Sequence, residues 1–171
     1  SSAASDVYKR QRMLMRDEQT VTAHHVFDTV NYITPYDCMK QHFLGQHIKV
    51  SKNTFNPGQV MLMDFRVSQE DGIHFMYVLP FTEKKAFIES TVFSQRPNEP
   101  EWYRKQIAEY INRSLHVKGE QVTILKEEEG VLPMSKVKPK HNDGCIPFGL
   151  PANAMRASSS YAFAQISRQA Y

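Results

Sequence analysis

Long apolar runs are missing from this sequence: no stretch approaches the roughly 18 consecutive apolar residues a membrane-spanning helix needs. That excludes a spanning helix and leaves a peripheral membrane contact open. Cysteine is scarce. Cys38 and Cys145 stand far apart and match no metal or redox spacing, so a reduced, cytoplasmic setting is expected. An excess of one charge is lacking as well, with 21 Lys and Arg against 18 Asp and Glu. The basic residues are scattered apart from KVKPKH at 136–141, which reads as a solvated loop, so no nucleic-acid footprint is expected. Metal-ligand spacing is absent too. His24 and His25 project to opposite faces of a strand, and His42, His47, His74, His116 and His141 show no ligand pattern, so no metal is expected. Neither GxSxG, nor a P-loop, nor GxGxxG occurs.

What is present is globular: 41% of the residues are hydrophobic and 11% aromatic, enough for one domain with a sizeable core or for pieces of two larger ones. The opening SSAASDVYKRQ at 1–11 carries no apolar periodicity and no start Met. It resembles a translated sequencing adapter and reads as a scar in front of a fragment. Met13–Met15 and Val21–Phe27 read as short extended segments around a polar turn at 16–19. QHFLGQHIKV at 41–50 reads as a strand bent at Gly45, and Asn56, Pro57 and Gly58 as a turn. Three strands follow, at 60–67, 74–81 and 85–94, in an antiparallel meander. Asn98, with Glu101 as its reciprocal partner, is expected to cap a helix that buries Tyr103, Ile107, Tyr110, Ile111 and Leu115. Val122–Leu125 reads as one more strand, VLP at 131–133, after EEEG, as a break, and Tyr161–Tyr171 as a last helix.

Candidate chemistry centres on FIEST at 87–91. Period-2 alternation puts Phe87, Glu89, Thr91 and Phe93 on one strand face and Ile88, Ser90 and Val92 on the other. A carboxyl between two phenylalanines, if desolvated, has a raised pKa and can donate a proton, and the rings can stabilise a carbocation. Alternation alone leaves open whether that face is dry or wet. In MLMDFR, Asp64 and Arg66 interrupt an apolar strand two residues apart and point the same way, to pair with each other or with a partner, or to form one polar face of an edge strand. Phe75, Tyr77, Leu79 and Phe81, with Phe65 and Phe87, give an aromatic surface that serves as core or as the wall of a long apolar ligand's site.

These segments combine. QHFLGQHIKV, FNPGQVMLMDFRV, FMYVLPFTEKKAFIESTVFS, EEEGVLPM and GLPANAMRASSSYAFAQISRQ resemble, in order and spacing, the flavin-dependent lycopene cyclases of the bacterial beta-cyclase type. The resemblance implies an isomerase that closes ionone rings on the linear ends of lycopene, with FAD kept reduced by NAD(P)H and no net redox change. It implies Glu89 as the leading acid, with Asp64 and Arg66 in support and Ser90 at the family's second acidic position. Phe65, Phe75, Tyr77 and Phe87 are implied as the polyene wall, and Gly149, Ser159, Ser160 and Tyr161 as cofactor-facing, with the last helix offering its N-terminus. Ala152, Asn153 and Ser160 depart from the family's usual glycines.

The implied fold is α+β: an antiparallel substrate-domain sheet with a packed helix, and segments of a Rossmann-like FAD-binding domain. The expected division is 1–11 scar, 12–34 end of the upstream FAD portion, 35–126 substrate domain and 127–171 return to the FAD domain. The dinucleotide fingerprint is expected upstream of Arg12, so this stretch alone is expected to be inactive. Lycopene's insolubility implies access from the membrane, hence a cytoplasmic protein peripheral to the inner membrane. A related flavoprotein monooxygenase or prenyl reductase, and a non-enzymatic carotenoid-binding module, are the competing readings.

Overall fold

The computed structural model describes residues 11–14, 20–140 and 144–171. The adapter-like segment therefore lies outside the described residues except for Gln11, as do the turn at 16–19 and His141. In chain order the elements are β1 (Gln11–Leu14), β2 (Thr20–Ala23), β3 (Phe27–Asp28), β4 (Tyr32–Ile33), β5 (Lys40–Val50), β6 (Met61–Asp64), β7 (Ile73–Thr82), β8 (Lys85–Ser94), α1 (Pro100–Ser114), β9 (Val122–Pro133), β10 (Lys138–Pro139), β11 (Ile146–Pro147) and α2 (Phe163–Gln169). They fall into two units, 37–133 and 1–36 with 134–171.

The 37–133 unit is a five-stranded antiparallel sheet in the order β6-β7-β8-β5-β9, with α1 packed on one face. The alternation read from the sequence dictates that face. Leu44, Ile48 and Val50 from β5, Met76 and Val78 from β7 and Ala86, Ile88 and Val92 from β8 meet Tyr103, Ile107, Tyr110 and Ile111 of α1 in one core. The helical stripe is as expected, with Leu115 partly buried at its end. The cap is not. Glu99, not Asn98, occupies the N-cap, without a side-chain capping bond, because Pro100 opens the helix and its fixed φ sets where the first turn begins. The Asn98 backbone N–H donates instead to the Tyr103 hydroxyl at 3.1 Å.

The strand expected over Val122–Leu125 runs on through EEEG to Pro133, so VLP is strand and not a break, and the expected boundary at 126/127 cuts β9. Pairing with β5 along its whole length overrides the local turn signals, and only one side needs partners, which an edge strand rich in Glu and ending in Pro tolerates.

Buried beside α1, His42 has its tautomer set by its neighbours. The Ser94 hydroxyl donates to the Arg96 carbonyl and so accepts from His42 Nε2–H, which leaves Nδ1 to accept from the Tyr103 hydroxyl. Burial, and then nearby Lys40, lower its pKa to about 4. An unfolded histidine takes up a proton near 6.5. Between those values the unfolded chain binds more protons, so stability held above pH 6.5 is lost as pH falls toward 4, by up to about 3 kcal/mol. Denaturant unfolding across that window should show the slope, and His42→Gln should flatten it.

The second unit is built from short pairings. β1 and β2 are antiparallel, as are β4 and β10, while β3 and β11 form a two-residue parallel bridge. Among the described residues that bridge is the only parallel pairing, too small to stand for a Rossmann-like sheet. The Asp28 carboxylate accepts the Val30 and Asn31 backbone N–H groups and closes the turn after β3.

Candidate active site

Because α1 covers the face carrying Ile88, Ser90 and Val92, Glu89 projects from the opposite face of β8, together with Phe87, Thr91 and Phe93. In register beside it lie Tyr77 of β7 and Gly45 of β5. Its carboxyl is half-buried and accepts a hydrogen bond from the Thr91 hydroxyl at 2.6 Å. Desolvation pushes its pKa above the ordinary carboxylate range, the Thr91 bond opposes this, and the charge of Glu128 adds to the rise. The sequence left the wetness of this face open. Burial of the carboxyl favours the protonated acid.

Gly45, His47 and Glu128 stand beside Glu89, a role the sequence did not assign to them. Gly45, read as a bend, is a shelf: a Cβ there would stand 2.1 Å from Cζ of Phe87, so the Phe87 ring lies over the bare backbone. Gly130 does the same for Phe43, at 2.7 Å. His47 packs against Phe87 at 4.7 Å between ring centroids, stacks on Phe81 at 5.9 Å, and meets a Glu128 carboxylate oxygen at 3.1 Å. Glu128 also accepts from Lys126, and these two bonds hold its pKa low. Glu89 and Glu128 thus flank Gly45 from either side, two strands apart or about 10 Å. Their relationship was hidden because the expected strand stopped at Leu125. Extending the period-2 alternation of β9 through EEEG would have revealed it.

The expected aromatic residues share this face. Phe65 packs on Phe75 at 5.3 Å, and Phe75 makes edge contacts with Tyr77 and Phe93 at 5.4 and 5.3 Å. Phe75 is fully buried and anchors the cluster, while Phe65 stands half-exposed.

Asp64 and Arg66 are not brought to Glu89. β6 ends at Asp64, after Met63 turns the backbone into the left-handed region at φ 53°. Asp64 pairs in register with Met76 on the helix-covered face. Its carboxylate takes Arg66 Nε at 2.8 Å and Nη2 at 2.7 Å, and the Tyr110 hydroxyl of α1 at 2.8 Å. The Arg66 bonds hold its pKa far below the usual range. The alternative in which the two charges pair with each other is the one realised, and the expected support of Glu89 has no direct contact behind it. Ser90 also faces the core, bonded to His74 Nε2 at 2.9 Å. Neighbouring strand residues point opposite ways, so a side chain at 90 cannot join Glu89's on one face.

In the other unit, Gly149 adopts φ 67° and donates its N–H to the Gln169 side chain at 2.9 Å. Ser159 and Ser160 N–H groups donate to the Arg156 carbonyl, and Tyr161 accepts from the Arg156 N–H, closing a turn with Ser160 at φ 58°. The Ser160 hydroxyl oxygen is buried with no hydrogen-bond partner. The last helix is shorter than expected, seven residues from Phe163. Two turns give its N-terminus little pull on a phosphate, which removes that part of the expectation.

Among the described residues no group of three His, Cys, Asp or Glu is placed to hold a metal, and no helix is long and apolar enough to cross a membrane.

The family described as "Lycopene cyclase protein" matches residues 1–171. The lycopene beta-cyclase of Pantoea ananas is 32% identical over 97 residues, 56% of this chain and 24% of that protein. That of Paracoccus sp. (strain N81106 / MBIC 01143) is 28% identical over 127 residues, 71% of this chain and 32% of that protein. The chain thus spans about a quarter to a third of the curated relatives it matches. Among solved structures, a geranylgeranyl bacteriochlorophyll reductase-like protein from Thermoplasma acidophilum superposes with a TM-score of 0.50 at 15% identity, covering 88% of this chain and 40% of that one. BrvH, a flavin-dependent halogenase from Brevundimonas sp. BAL3, does so with a TM-score of 0.48 at 11% identity, covering 92% and 32%. The acid-bearing sheet face is therefore carried by a chain that belongs to the lycopene cyclase protein family.

Proposed function

We propose that the full-length protein is a lycopene beta-cyclase, and that this chain carries its acid. The supporting observation is a half-buried carboxyl, Glu89, with a raised pKa on a sheet face walled by Phe65, Phe75, Tyr77 and Phe87. Protonated Glu89 delivers its proton to the terminal double bond of a linear carotenoid. The resulting tertiary cation is attacked by a second double bond of the same chain, one carbon–carbon bond forms, and a proton leaves from the new ring. One proton enters and one departs, so the product is an isomer of the substrate. The aromatic faces stabilise the cation and exclude water that would capture it.

FAD, held reduced by NAD(P)H, supplies an electron-rich surface in the assembled enzyme. Of the residues here, Gly149, Ser159, Ser160 and Tyr161 would hold it, and the partnerless buried Ser160 hydroxyl fits a polar group in that turn. The protein works on the cytoplasmic side, peripheral to the inner membrane, where its substrate dissolves.

The test is isotopic. With lycopene and full-length protein in heavy water, the cyclic product should gain a deuteron for each ring closed, since the added proton stays on carbon while another leaves. In ordinary water its mass should equal that of lycopene. A product two hydrogens heavier, or one carrying oxygen, would instead identify a reductase or a monooxygenase.

A further inference from the structure

One end of the five-stranded sheet is built as a single tip. Val50 N–H donates to the Lys84 carbonyl, and Thr54 and Phe55 N–H groups both donate to the Glu83 carbonyl, at 2.9, 2.8 and 3.0 Å. The 51–60 loop is thus pinned to the β7–β8 hairpin, with the buried Phe55 ring as its anchor. From this tip Val60, Met61, Leu62 and Phe81 stand 52%, 39%, 62% and 57% exposed. Lys49, Lys52, Lys84 and Lys85 stand at the same end of the sheet, all exposed. The acid among them, Glu83, has its carboxylate occupied by Asn53 Nδ2 at 2.6 Å.

We infer that this tip docks on an anionic bilayer surface, an inference that rests on the cyclase reading for its purpose. Exposed apolar side chains and lysines at one end of the sheet match the boundary between acyl chains and negative headgroups: the apolar side chains leave water while the ammonium groups stay at headgroup level. Charge complementarity selects the anionic lipid. The position also fits the chemistry. Phe81 stacks on His47, His47 packs on Phe87, and Phe87 lies over Gly45, the register partner of Glu89. A row of rings therefore leads from the tip to the acid, along which a polyene can leave the bilayer without crossing water.

The experiment is vesicle flotation of the full-length protein with phosphatidylcholine alone or mixed with phosphatidylglycerol. Wild type should float with the mixed vesicles, and salt should weaken this. Lys84→Gln/Lys85→Gln should weaken partitioning to mixed vesicles about 30-fold and to neutral ones little. Val60→Ser/Leu62→Ser should weaken both roughly 5- to 10-fold. Val131→Ser, an exposed change toward the opposite end of the edge strand β9, should float like wild type. Lys52→Glu is the substitute if the hairpin variant does not fold, and conversion of detergent-dispersed lycopene at wild-type rate checks the fold of each. Equal flotation of wild type and tip variants, or no flotation of wild type, overturns the tip, whatever the activity. Flotation lost by the variants while wild type converts nothing would sink the cyclase reading and leave the tip standing.

Discussion

Replacing Glu89 with glutamine in the full-length protein should lower ring formation about 10³-fold, the middle of the range for a general acid. Glutamine keeps the shape and can still accept from Thr91, but it has no acidic proton to give. The loss should appear in kcat with the unfolding midpoint unchanged, because Glu89 faces away from the α1 core. Glu89→Asp, which shortens the reach, should retain part of the rate. The pH profile sharpens the assignment. Desolvation raises the Glu89 pKa and Glu128 adds to it, so activity should fall as pH rises through that raised pKa. Removing the neighbouring charge with Glu128→Gln should move the descending limb to lower pH. A Glu89→Gln protein that makes cyclic product at the wild-type rate would strip the residue of its role.

Asp64→Ala should destabilise the fold by about 2–4 kcal/mol, measured by denaturant unfolding. Its carboxylate accepts the buried Tyr110 hydroxyl and so ties the sheet to α1, and its loss leaves that hydroxyl without a partner. The exposed Arg66 guanidinium contributes less, since water screens it. Sign and window follow from the pKa. Folding holds Asp64 far below the usual range, chiefly through the Arg66 bonds and despite burial, and the unfolded residue titrates near 3.9. The stabilisation is therefore complete above pH 4 and fades as pH falls below it. Asp64→Asn should flatten that acid limb while turnover per folded molecule stays near wild type. The reverse outcome, an unchanged unfolding midpoint with turnover abolished, would return Asp64 to the catalytic set.

The contrast between these two carboxylates shows where local reading stops. Both interrupt apolar strands beside aromatic residues, and both looked like candidates for chemistry. Alternation in FIEST separated Glu89 from Ile88, Ser90 and Val92 correctly because β8 is regular throughout, with partners on both sides. In MLMDFR the expected pairing of Asp64 with Arg66 is realised, but the left-handed Met63 and a register shift end β6 at Asp64 and turn the pair to the helix-covered face, away from Glu89. EEEGVLP departs in the opposite direction. The strand expected to stop at Leu125 runs on to Pro133, since eleven residues of β5 pair with β9 and hold it extended.

The sequence by itself determined the meander, the buried stripe of α1, and the placing of Glu89, Phe87 and Thr91 on one face, since side-chain periodicity is a property of the backbone alone. Its ordered motifs also sufficed to indicate the family. Only the tertiary structure decided that Asp64 locks a helix, that Gly45 seats a ring, and that Glu128 and His47 stand beside the acid. Those relations join residues about forty positions apart, and strand pairing, a non-local choice, fixes which of them meet.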